Sequence, residues 1–82
     1  MTLTKNNICV LINNKTDLTE VKNILQKYNQ KTGTPTDMMF SHVYRWLLCS
    51  SHDNSWYIGS ASFGLTEITL FELETILQKE LK

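Results

Sequence analysis

Val43-Tyr44-Arg45-Trp46-Leu47-Leu48-Cys49-Ser50, then Ser51-His52-Asp53-Asn54-Ser55, then Trp56-Tyr57-Ile58-Gly59-Ser60-Ala61 is the stretch that decides the fold. Its two outer runs are aromatic and β-branched, as half-buried strands are. The polar five between them read as a turn, because Asp53 and Asn54 tolerate positive φ. The whole predicts a β-hairpin. Alternation places Tyr44, Trp46 and Leu48 on one face of its first strand, and Val43, Leu47 and Cys49 on the other. On the return strand, Trp56 and Ile58 oppose Tyr57 and Ala61.

Before the hairpin, Asn7–Asn13 holds five consecutive apolar residues, Ile8 to Ile12. The run does not alternate, which predicts a central strand covered on both sides. Thr16-Asp17-Leu18-Thr19-Glu20 then reads as a helix start, with Asp17 as cap and Glu20 reaching back to it. Leu18, Val21, Ile24, Leu25 and Tyr28 form one helical stripe, and the helix runs on through Lys27 and Lys31. Gly33 is its expected terminator and Pro35 blocks continuation. Gly33–Asp37 is a loop. Met38-Met39-Phe40 fits either a helical turn capped by Thr36 or Asp37, or a lead-in to the next strand.

After the hairpin, Ser62–Ile68 reads as a linker. Thr69-Leu70-Phe71-Glu72 is a second capping box, opening a helix over 70–81 with Leu70, Leu73, Ile76, Leu77 and Leu81 on one stripe. Glu72 and Glu74 near its start and Lys79 and Lys82 near its end suit the helix dipole. The expectation is one α+β domain over residues 1–82, in the order β-α-β-β-α. A three-stranded, mainly antiparallel sheet packs with two helices.

Composition bounds the rest. Of 82 residues, 41% are hydrophobic and 20% charged, which suits a globular chain and not a disordered one. Net charge is zero, without the basic surplus that phosphate binding usually needs. The charge is uneven: residues 1–35 stand at +3 and residues 36–82 at −3. Either the two sets solvate opposite faces, or they make a dipolar surface that orients a partner. Met1–Asn7 is polar and the apolar run after it is too short for a signal sequence or a membrane span, so a cytoplasmic chain with free thiols is expected.

Three constellations invite a chemical reading. Cys49 and His52, with Cys9 and His42, name four zinc ligands, but structural zinc sites come as two close-spaced pairs. Cys49, His52 and Asp53 name a nucleophile, base and orienter, yet residues this close across a tight turn rarely converge so. Neither is adopted: no catalytic, metal or cofactor site is expected. Tyr44, Trp46, Trp56 and Tyr57 with Arg45 suggest a platform that stacks single-stranded bases, or else cross-strand packing that stabilises the hairpin.

Two short helices cover one sheet face fully, or both only by dividing between them. If both share a face, the other stays apolar and open, as a dimer interface or partner site. If they divide, or if Met38–Phe40 covers the second face, no such surplus exists.

The order Ile8–Ile12, Leu18–Tyr28, Trp56-Tyr57-Ile58-Gly59 and Ile68-Thr69-Leu70-Phe71-Glu72-Leu73 resembles small accessory proteins of tailed bacteriophages. The resemblance spans most of the chain and contributes no site residues. It implies a host-takeover or anti-defence factor in the host cytoplasm. Such a factor inhibits a host or defence enzyme by binding. The expected activity is therefore non-enzymatic protein binding through Tyr44, Arg45, Trp46, Trp56 and Tyr57, with self-association into a homodimer through the sheet as a further option. The competing expectation is single-stranded nucleic-acid binding by the same aromatics with Arg45.

Overall fold

The computed structural model describes residues 3–34 and 38–80. The elements run β1 (Ile8–Leu11), α1 (Lys15–Lys27), β2 (Trp46–Cys49), β3 (Trp56–Gly59), β4 (Thr66–Ile68) and α2 (Leu70–Glu80). The fold is α+β, but the sheet has four strands and is mixed, in the order β3-β2-β1-β4. That corrects the expected three-stranded sheet. β1 pairs antiparallel with β2 and parallel with β4. The segment read as a linker therefore contains a strand, Thr66-Glu67-Ile68.

The predicted hairpin is present. β2 and β3 pair antiparallel, Leu47 opposite Ile58 and Leu48 opposite Tyr57. Ser50 N–H donates to Ser55 O at 2.9 Å, closing the turn, and Asn54 takes the positive φ of 58°. β1 is central, as its apolar run implied.

The first helix starts three residues earlier than expected, on a different cap. Asn14, not Asp17, is the cap: its side chain accepts from Asp17 N–H at 2.9 Å, while Asp17 Oδ2 accepts from Asn13 N–H at 3.0 Å. α1 also ends early. Asn29 at φ 55° takes the left-handed position, and Gln30 N–H reaches back to Leu25 O at 2.8 Å, a Schellman closure. Gly33 is thus not the terminator, and Lys31 lies beyond the helix. Gly33 and Lys31 instead bracket β3: Gly33 N–H donates to Trp56 O and Trp56 N–H to Lys31 O, both at 2.9 Å. The second box is as read, with Thr69 N–H to Glu72 Oε1 at 3.1 Å and Glu72 N–H to Thr69 Oγ1 at 3.2 Å. Leu81 and Lys82, and the loop residues Pro35, Thr36 and Asp37, lie outside the described residues. Met38 is buried in the core, Met39 is exposed and Phe40 packs against the core from the side; none of the three joins a strand.

Both helices lie on the same sheet face. Ile8, Val10 and Ile12, with Leu47, Cys49, Trp56, Ile58 and Ile68, share one core with Val21, Leu25 and Tyr28 of α1 and Leu73, Ile76 and Leu77 of α2. Simple dimensions make this sufficient. Four strands at ~4.8 Å spacing are ~19 Å wide, and two helices of ~10 Å diameter side by side match that width. The right-handed crossover rule has no hold on α1, because β1 and β2, which flank it, are antiparallel. Between the helices, Tyr28 OH donates to Glu74 Oε2 at 3.0 Å and accepts from Gln78 Nε2 at 2.9 Å. Lys27 joins the same carboxylate at 2.8 Å. Lys27 and Glu74 thus bring one charge from each half of the sequence together between the helices.

Candidate functional site

Among the described residues, the other face of the sheet carries no helix. Two cross-strand rows run over it. One is Glu67, Cys9, Leu48 and Tyr57; the other is Leu11, Trp46 and Gly59. Its one charge among these seven is Glu67, on the edge strand.

Strand directions dictate what covers this face. β3 and β4 sit on opposite edges and run the same way, since both are parallel to β1. The chain must therefore leave the top of β3 and return to the bottom of β4. It has only Ser60–Leu65 in which to do so. Three strand spacings and about three residues of offset make a diagonal of roughly 17 Å. Six residues wound as a helix would span only ~9 Å, so the chain crosses open, as a strap. Leu65 O accepts from Cys9 Sγ at 3.7 Å, and a Phe63 ring carbon lies 3.7 Å from where a Cβ on Gly59 would stand. These two contacts place the strap on the face opposite the helices.

The strap turns on two successive left-handed residues, Phe63 at φ 53° and Gly64 at φ 74°, with Leu65 N–H donating to Ser62 O at 3.0 Å. Glycine takes that conformation freely; phenylalanine bears about 1–2 kcal/mol of strain there. Phe63 nonetheless remains 68% exposed. Gly59 is needed beneath it: a Cβ at that position would stand 2.9 Å from Leu48 Cδ1.

The strap makes the open patch smaller than two helices on one face would by themselves imply. Cys9 and Leu48 point to this side yet are buried. Leu11, Trp46 and Tyr57 are half-buried, and Tyr44 and Phe63 are the exposed aromatics at the margin. The sheet face is roughly 250 Å² in projection from strand spacing and rise, within the range of patches a monomer carries.

The five residues singled out from sequence therefore separate. Trp46 and Tyr57 belong to this side by register, and alternation back along the chain from Trp46 assigns Tyr44 to it. Trp56 does not, being wholly buried beneath the helices with Nε1 donating to Gln30 Oε1 at 3.1 Å. Arg45 precedes Trp46 in extended chain, so the two project to opposite sides. Arg45 is half-buried, and its Nε is buried with no hydrogen-bond partner among the described residues. Leu11, Gly59 and Phe63 join the site without having been named from sequence. The legible signal was Phe63-Gly64, one aromatic beside a glycine in a segment of no period.

The chemical constellations do not assemble. Cys9 and Cys49 are on opposite faces, His42 lies in the turn before β2, and His52 lies in the turn after it. Among the described residues no three His, Cys, Asp or Glu side chains gather as metal ligands. Burial pushes the Cys49 thiol up to about 11, away from nucleophilic use. Asp53 is held below its ordinary value chiefly by the Ser55 backbone N–H, which donates to its Oδ1 at 3.1 Å. It shapes the turn. A cleft of about 600 Å³ is lined by Lys22, Gln26, Asn29, Gln30, Thr32, Gly33 and Met38, none of them, among the described residues, a thiol, imidazole or carboxylate. No described helix is long and apolar enough to cross a membrane. Comparison with protein families, with curated proteins and with solved structures finds no match, so the functional reading rests on this geometry.

Proposed function

We propose that the chain is a non-enzymatic protein-binding module that acts through the sheet face opposite its helices. The observation that supports this is the asymmetry of the sheet. Both helices cover one face, while the other holds Leu11, Trp46 and Tyr57 half-buried, flanked by Tyr44 and Phe63, with Glu67 as the one charge among its seven strand residues. Partly exposed Trp and Tyr on a rigid strand lose little entropy on contact and commonly anchor interfaces. The mode of action is occlusion of a surface on another protein. A host or defence enzyme is the kind of target that the phage-protein resemblance suggests. Nucleic-acid stacking is the weaker reading, because Trp56 is in the core and Arg45 projects away from Trp46.

The test uses the double variant Tyr44→Asp/Phe63→Asp, with Lys22→Asp as control. Tyr44 and Phe63 are 53% and 68% exposed, and Lys22 is an exposed residue of α1, in the helix layer. Sedimentation at micromolar concentration reads self-association, and capture from a host lysate reads a partner. The double variant loses the complex and the control keeps it. A strictly monomeric wild type that captures no protein overturns the proposal. A complex whose affinity falls steeply with salt points instead to nucleic acid.

A further inference from the structure

The two buried faces of the sheet differ in how they are held shut. Over one, two helices interlock through their side chains. Over the other, Ser60–Leu65 rests on little. Its internal backbone bond, Leu65 N–H to Ser62 O, ties the segment to itself. Backbone bonds to the sheet fall at its two ends: Arg45 N–H to Gly59 O at 3.1 Å and Thr66 N–H to Asn7 O at 3.2 Å. Ser60, Ala61, Phe63 and Gly64 are exposed. The Cys9 thiol to Leu65 O contact, at 3.7 Å, is a weak one. Phe63 sits in a backbone conformation that release would relieve, and Gly64 beside it can absorb the change in direction.

We propose that Ser60–Leu65 is a hinged strap that lifts from the sheet while the four strands and both helices stay folded, uncovering Cys9 and Leu48. Lifted, it joins Cys9 and Leu48 to Leu11, Trp46 and Tyr57 as one unbroken apolar face. The device is a property of the isolated chain. It stands or falls separately from the identity of any partner.

The chain carries its own reporter pair. Cys9 is wholly buried under the strap, and Cys49 is 5% exposed in the core on the other side of the same sheet, where Asn6 Nδ2 donates to its Sγ at 3.6 Å. Burial raises both thiols, Cys49 to about 11, so the dependence on denaturant is the decisive reading, more than absolute rate. The wild-type protein is labelled with iodoacetamide under native conditions across low urea concentrations, and each cysteine is followed by peptide mapping. Cys9 is expected to label at least ~10-fold faster than Cys49, with a rate nearly flat in urea, as local openings behave. Cys49 labelling should climb steeply, with the slope of global unfolding. Native-state hydrogen exchange on the same samples should leave β1 and β4 amides protected while Cys9 reacts. Equal urea slopes for the two cysteines overturn the proposal. So does exchange of β4 amides in step with Cys9 labelling, since the strand itself would then be detaching.

Discussion

Leu47 and Leu48 are adjacent, identical in chemistry and equally hidden, at 0% and 1% exposed, yet they live in different molecules in all but name. Leu47 points into a layer of helix side chains that interlock on all sides. Leu48 points at Gly59 and the underside of a six-residue strap. Equal burial therefore hides unequal packing. One face is closed by volume, and the other by a single crossing of extended chain.

The largest test of that difference is truncation. Leu47→Ala should cost ~3–5 kcal/mol in urea denaturation, because the helices cannot settle into the vacated space. Leu48→Ala should cost nearer ~2 kcal/mol, because the strap can collapse onto the gap. Equal losses would break the distinction between the faces. Gly59→Ala comes next. Its new methyl meets Leu48 Cδ1, the mobile end of a side chain, at 2.9 Å. The cost should be ~1 kcal/mol, at the low end for overpacking, and Cys9 labelling should accelerate as the strap is pushed outward. Thr69→Ala removes the cap of α2 for a similar ~1 kcal/mol. That change should speed Cys49 labelling at a fixed urea concentration and leave Cys9 unaltered.

The smallest effect is a matter of pH. Lys27, first, and Tyr28 donate to Glu74 and hold its carboxyl below the ordinary 4.5. A depressed folded pKa stabilises above the unfolded value, and the contribution disappears as pH falls through the folded one. Thermal midpoints should therefore decline below about pH 4.5, and Glu74→Gln should flatten that decline slightly. The strap, which carries no titrating side chain, should open equally at either pH.

Much of the helix layer could be read from residues. The stripes of both helices, the second capping box and the alternation of the hairpin are local, and local preference agrees with the final packing. The first capping box slipped because two overlapping patterns fit, Asn14 with Asp17 and Asp17 with Glu20. The short link from β1 decides between them by requiring the helix at once. Asn29 was hidden as a terminator because asparagine takes the left-handed position less conspicuously than glycine. The strap face was largely illegible for a different reason. β4 is three residues long, and Thr66-Glu67-Ile68 is too short to show any period. Without β4 there is no demand for a crossing, and Phe63 looks like an ordinary linker residue. Alternation puts Trp56 on the side of Ile58, where the structure has it, but cannot say which side the helices will choose.

The parallel pairing of β1 with β4 ties together segments from near the two ends of the described chain. On the ribosome, β1 emerges before the other described strands and can acquire β2 on one flank as soon as the hairpin forms. Its other flank must wait for Thr66 to appear. Through that interval the nascent protein displays a bare apolar strand with unmade backbone bonds, the feature that most invites misassembly between neighbouring chains. Brevity is what limits the hazard: only the six residues of the strap separate β3 from β4, so the exposed edge is capped soon after β3 is in place.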